Sequence, residues 1–307
     1  MIPKQSLTRL SLPYISHEDT ISQTLSLSLT NYLGAKTRQD IDNCDGVFWD
    51  GNYLGLERVK IFQHSSIAEK AEILRLCNRE ILREVYLIEM AGVGYMAKLV
   101  SMAESAEERM LYGLFSGEEV IHLAKIGAFL PANPRLTSNN LICHWLEYIP
   151  QIEDKAVLLF VLQVVLEGWS LSHYRNLASN CHYPQLSRIL YEILADESRH
   201  HQVGLKLFHR MELNSGSEAK IIDILELFLQ AMQTRPQIFV SAIEKIKGQL
   251  SPSSKLRVYE ELELESHNST QLKFLRSLMR NPNSGRIIQQ LEARGAFQAF
   301  SPEQYLK

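Results

Sequence analysis

The chain has no marked excess of charge of either sign. Among 307 residues 22% are charged and the net charge is −3, which leaves no electrostatic footprint for binding nucleic acid. Cysteine is scarce: Cys44, Cys77, Cys143 and Cys181 lie far apart with no C-x-x-C spacing. That pattern suggests neither a disulfide framework nor a rubredoxin-type or zinc site, and reads as reduced thiols of an intracellular protein. The start, Met1-Ile-Pro-Lys-Gln-Ser, carries no basic region followed by an apolar run, and no stretch of about 18 uncharged apolar residues follows. No membrane span is expected, and the cytoplasm is the default location. A glycine-rich dinucleotide or flavin fingerprint is also missing. Alternating strand patterns of useful length are absent as well, and the fold class expected is all-α.

With 45% hydrophobic residues, the chain has ample material for a buried core. Residues 1 to about 64 mix small polar residues with scattered aromatics such as Phe48, Trp49 and Tyr53, and predict short helices and loops wrapping the rest. Ser66-Ile-Ala-Glu69 is a capping box that opens a long helix to about residue 103. A second helix runs from about 106 to 129 and stops at Pro131-Ala-Asn-Pro134. A short connecting helix follows at about 138–148. Helices are then expected at about 153–179 and 184–212, the latter opened by Pro184 at a favoured first-turn position. Further helices at about 217–233, 237–249, 254–265 and 269–280 are punctuated by Pro236, Pro252 and Pro282. The organisation expected is a wrapping segment over 1–65, a four-helix bundle over 66–212, and a helical extension over 213–307 packed on it.

Two short motifs carry chemistry. Glu119-Val-Ile-His122 and Glu197-Ser-Arg-His200 each place a carboxylate and an imidazole three residues apart, on one face of a helix turning about 100° per residue. Each is preceded by a glutamate at the same thirty-residue interval: Glu89 before Glu119, and Glu167 before Glu197. All four glutamates sit in apolar stripes, for instance Leu82, Val85, Val93 and Met96 around Glu89, and Phe160, Val164, Leu171 and Tyr174 around Glu167. A buried carboxylate costs several kcal/mol unless neutralised, hydrogen-bonded or bound to a cation. Four carboxylates and two imidazoles, one carboxylate from each of four helices, match the ligand set of a di-iron or di-manganese site in a four-helix bundle. Four carboxylates cancel the charge of two divalent cations, and oxygen and nitrogen donors without thiolate suit iron or manganese.

A single Glu-x-x-His is ordinarily a surface salt bridge; the doubling and the apolar surroundings distinguish this case. Glu84 competes with Glu89 as first ligand, and the matched interval favours Glu89. His201 lies about 100° round from His200 and reads as a supporting or exposed residue. His173 reads as an ordinary partly buried histidine, and Trp169 and Tyr174 as packing residues.

At Asp196-Glu-Ser-Arg-His200 the chain resembles the ferritin-like di-iron carboxylate superfamily, whose oxygenase and oxidase branch carries a D-E-x-R-H signature. The resemblance covers about residues 67–212. It implies a ferritin-like bundle in which Asp196 orients His122, Glu118 orients His200, and Arg199 balances nearby acidic charge. Two departures narrow it. The position of the radical tyrosine of ribonucleotide reductase small subunits is Ile126, and the third histidine of the arylamine N-oxygenases is replaced by Ile193. Ferritins are much shorter, and rubrerythrins often carry a cysteine-rich module that is missing here.

The function expected is therefore an O2-activating non-haem di-iron oxygenase or oxidase acting on a small or medium organic substrate, by hydroxylation, N-oxidation, desaturation or deformylation. The cofactor expected is a pair of iron ions, with Mn/Fe and Mn/Mn as alternatives and O2 as co-substrate. A ferredoxin or reductase would supply electrons, and a homodimer through the C-terminal helices stays open. Two other functions compete: an iron-handling ferroxidase or peroxidase, and a non-catalytic helical interaction protein.

Overall fold

The computed structural model describes residue 16 and residues 18–33, 46–131, 141–282 and 284–306. Among them there is no strand, and the fold is an all-α helical bundle. In chain order the α-helices are α1 (Thr20–Leu33), α2 (Lys60–Gln63), α3 (Ile67–Ser101), α4 (Ala106–Gly127), α5 (Leu141–Tyr148), α6 (Lys155–Leu158), α7 (Glu167–Asn180), α8 (Pro184–Phe208), α9 (Ser215–Thr234), α10 (Gln237–Lys247), α11 (Pro252–Glu261), α12 (Leu264–Leu278) and α13 (Gly285–Ala293). Between α6 and α7, Leu159–Leu166 forms a π-helical stretch, so that Lys155–Asn180 is one continuous rod.

The starts of the long helices follow from side-chain chemistry. At α3 the Ser66 N–H donates to Glu69 Oε2 at 2.8 Å and the Glu69 N–H to Ser66 Oγ at 3.3 Å, a closed capping box. Ser105 caps α4 by accepting from the Glu108 N–H at 3.0 Å, and Glu107 and Glu108 complement the positive end of the helix dipole. Asp154 caps α6 by accepting from the N–H groups of Ala156 and Val157. Pro184 occupies the first turn of α8, where its missing N–H is not required.

The chain divides into two compact units: residues 1–45 with 81–153, and residues 46–80 with 154–307. The first division falls within α3.

In the first unit α3 and α4 run antiparallel. Tyr86, Glu89 and Gly92 going up α3 meet Gly127, His122 and Glu119 going down α4. Helix α1 also touches α4. Of the connecting helix expected at 138–148, Leu141–Tyr148 is helical; residues 138–140, like Pro134 and Cys44, lie outside the described residues.

In the second unit the rod Lys155–Asn180 packs antiparallel on α8, with Phe160 stacked on Phe208 at a ring separation of 4.6 Å. By length and composition this rod is apolar enough to cross a membrane, but 83% of its apolar window is buried against the rest of the chain, as in a core helix. Residues 46–50 are tied into the unit by Asn78. Its Oδ1 accepts from the N–H groups of Phe48 and Trp49, each at 2.8 Å, and its Nδ2 donates to Trp49 O at 2.9 Å. Trp49 is fully buried and donates through Nε1 to Leu177 O at 2.8 Å.

Two features of the C-terminal region depart from the periodicity reading. The helix expected over 254–265 breaks at Glu263, whose φ of 54° is left-handed, and Leu264 starts a new one. A further helix, α13, follows Pro282. Its apolar positions, Ile287, Ile288 and Leu291, are few, and only their burial makes the short segment a helix of the core.

Candidate metal centre

Among the described residues the buried carboxylates are Glu89, Glu119, Glu167 and Glu197, and the buried histidines are His122 and His200. No other acidic residue and no other histidine is buried, and none of the six exceeds 4% exposure.

The first unit holds Glu89, Glu119 and His122. His122 Nδ1 lies 3.0 Å from Glu89 Oε2 and 3.7 Å from Glu119 Oε2, and one ligand atom from each of the three residues falls within a 4.8 Å cluster. Donors bound to one cation at about 2.0–2.2 Å stand roughly 3.0–3.7 Å apart for bond angles between a right angle and 120°. The two distances from His122 have that spacing. Glu84, the rival first ligand, is half-buried and outside the triad. Gly92 makes the approach of the two helices possible, because a Cβ at this position would stand 2.5 Å from Glu119 Oε2. Between α3 and α4 there is room for a carboxylate only because residue 92 has no side chain.

The second unit holds Glu167, Glu197 and His200. His200 Nδ1 is 3.8 Å from Glu197 Oε2, and the three residues again offer ligand atoms within 4.8 Å of one another. Glu167 stands at the junction between the π-helical stretch and α7, its N–H bonded five residues back to Leu162 O. The wider turn rotates the residues that follow relative to an uninterrupted α-helix, which sets the direction of Glu167.

The neighbours of the motifs are less enclosed. Asp196 and Arg199 pair with each other at 2.7 Å on α8, with Arg199 exposed and Asp196 half-buried. Glu118 is half-buried beside Glu119. His201 is half-buried, and its pKa is lowered by burial against an opposing hydrogen bond to the Gln163 backbone. Its Nδ1 lies 2.7 Å from Gln163 O.

His173 stacks on Trp169 at 4.5 Å, and Arg235 lies over the Trp169 ring at 5.0 Å. The residue keeps an exposed edge while its Nε2 is shielded from solvent. Burial, with a smaller contribution from Arg235, holds its pKa well below the usual histidine range. Trp169 and Tyr174 are buried. Cys77 is buried, and burial pushes its pKa up to about 12.

Sequence reasoning passed over Gly92 and Gln163. Gly92 had a signal, a glycine one helical turn after Glu89. So did Gln163, a lone amide in the apolar run Leu159-Phe-Val-Leu-Gln-Val-Val-Leu166.

Compared with known proteins, the chain matches no family model, no curated protein and no solved structure.

Proposed function

We propose that the two triads act together as one dinuclear metal centre and that the protein is an O2-activating di-iron oxygenase or oxidase acting on a small or medium organic substrate. The single observation that carries this reading is that the only buried carboxylates and histidines of the described chain are the six residues of the two motif sets. Three buried donors with no exposed acidic neighbour among them are a poor salt bridge and a good cation site. The donor set of each triad, two carboxylates and an imidazole, suits iron or manganese.

In this reading one ion would be held by Glu89, Glu119 and His122, the other by Glu167, Glu197 and His200. When bound, such a pair supplies redox chemistry toward O2 at positions the protein leaves open. The chain provides a neutralising set of four carboxylates and buried apolar residues in each unit, Tyr112 and Phe115 in the first and Phe160 and Ile193 in the second. Asp196 and Glu118, each beside a ligand glutamate, are the acidic groups that would set the imidazole tautomers and raise ligand basicity. Electrons would come from a separate ferredoxin or reductase.

Anaerobic titration with Fe(II), followed by Mössbauer spectroscopy after admission of O2, tests the proposal. Two irons per chain as an antiferromagnetically coupled ferric pair, lost in Glu119→Ala and Glu197→Ala, support it. Binding of fewer than two irons, or binding untouched by those substitutions, overturns it. Labelled oxygen appearing in a screened organic compound distinguishes an oxygenase from a protein that only oxidises iron.

A further inference from the structure

A hydrogen-bonded seam beside His200 belongs to neither triad. Within the second unit the π-helical stretch ends at Leu166, and the Glu167 N–H still reaches five residues back to Leu162 O. Where the ladder shortens from five residues to four, a carbonyl has to turn out of it. The next carbonyl along is that of Gln163, and it lies 2.7 Å from His201 Nδ1. A backbone carbonyl only accepts, so Nδ1 carries the proton and donates. The amide of the same residue reaches the other way, with Gln163 Nε2 donating to His200 O at 3.4 Å. One fully buried residue therefore holds the backbone of His200 and the ring of its neighbour.

The helices are shaped for this contact. A Cβ on Gly204 would collide with the Gln163 side chain, and a Cβ on Gly168 would come within 2.9 Å of His201 Cε1. His201 and Gly204 lie three residues apart on the side of α8 that meets the stretch, and His200 precedes that side by about 100°. Fixing the first direction fixes the second. With the His201 ring held by that carbonyl, α8 cannot turn about its axis at this point without straining the bond, and the direction of the His200 imidazole is held with it.

We infer that His201 and Gln163 are positioning residues, a clamp between the π-helical stretch and α8 that sets the direction of His200 and so the metal affinity of its triad. The inference rests on the dinuclear reading for its metal consequence, while its geometric content does not.

The test compares His201→Phe, which keeps a ring and removes the donor, with His201→Asn, whose amide nitrogen can stand where Nδ1 stands. Titration of the full chain with Fe(II) and with Mn(II) should show one of two metals bound roughly tenfold to a hundredfold more weakly in His201→Phe. The other metal should keep its wild-type affinity, and His201→Asn should recover the loss to within a few fold. In metal-free protein the His201 Nδ1–H should be a slowly exchanging resonance, and the His200 ring resonances should shift in His201→Phe but not in His201→Asn. Wild-type affinities for both metals in His201→Phe overturn the clamp, and so does an Asn variant that fails as fully as Phe. If the wild-type chain binds no metal, the dinuclear reading fails, and the His200 resonances alone decide the clamp: unchanged in His201→Phe, they overturn it.

Discussion

Gly92 lies against the carboxylate of Glu119 so closely that a methyl group on residue 92 would come 2.5 Å from Oε2. Both residues are in regular helix, where exchanging glycine for alanine ordinarily stabilises by about 1 kcal/mol. Here the extra carbon has to displace a buried carboxylate. Gly92→Ala should leave helix content by circular dichroism near wild type and reduce Fe(II) affinity by roughly tenfold or more, measured by calorimetric titration. Unchanged affinity would mean that Glu119 is not held where the first triad needs it.

Buried carboxylates that serve a cation are a liability without one. Glu197→Gln in metal-free protein should therefore keep or raise the thermal midpoint, since it removes a charge held at 4% exposure. Saturating Fe(II) should raise the midpoint of the wild type, because a ligand that binds only the folded state stabilises it, and should raise that of the variant far less. Differential scanning calorimetry with and without metal checks both signs. A variant less stable than wild type without metal would assign Glu197 a structural hydrogen-bonding role instead.

His173 makes the fold sensitive to acid. Its folded pKa is held well below 6.5 by burial first and Arg235 second. Above the ordinary value both folded and unfolded chains are neutral there, and the residue takes nothing from stability. As pH falls below about 6.5 the unfolded chain takes up a proton that the fold refuses, so stability drops by up to about 1.4 kcal/mol per pH unit. His173→Phe removes that proton, and the urea midpoint of metal-free protein should fall less steeply between about pH 7 and pH 5 than in wild type. Equal slopes would show that the ring is not kept neutral.

Asn78 holds the segment before α2 through contacts remote in sequence from both triads. Asn78→Leu would leave the N–H groups of Phe48 and Trp49 without the oxygen they share. An orphaned buried donor costs about 1–3 kcal/mol, so a loss of roughly 2–5 kcal/mol in urea unfolding is expected. Metal stoichiometry should stay unchanged. A loss below about 1 kcal/mol would mean that water replaces the amide.

Much of this protein was written locally in the chain. The starts of α3, α4 and α8 are set by Ser66 with Glu69, by Ser105, and by Pro184, because caps and prolines act through hydrogen bonds and torsions inside a single turn. The pairing of Glu119 with His122, and of Glu197 with His200, follows from the helical repeat alone, and their burial from the apolar stripes around them.

Tertiary packing decided what no local pattern encodes. The choice of Glu89 over Glu84 depends on which residue of α3 meets His122, a matter of how two rods are aligned. The π-helical stretch before Glu167 exists because hydrogen-bond register can slip by one residue when neighbouring helices reward the slip, and a run of buried aliphatics carries no mark of that reward. Gly92 and Gln163 gain their meaning only from the side chain each faces on another helix.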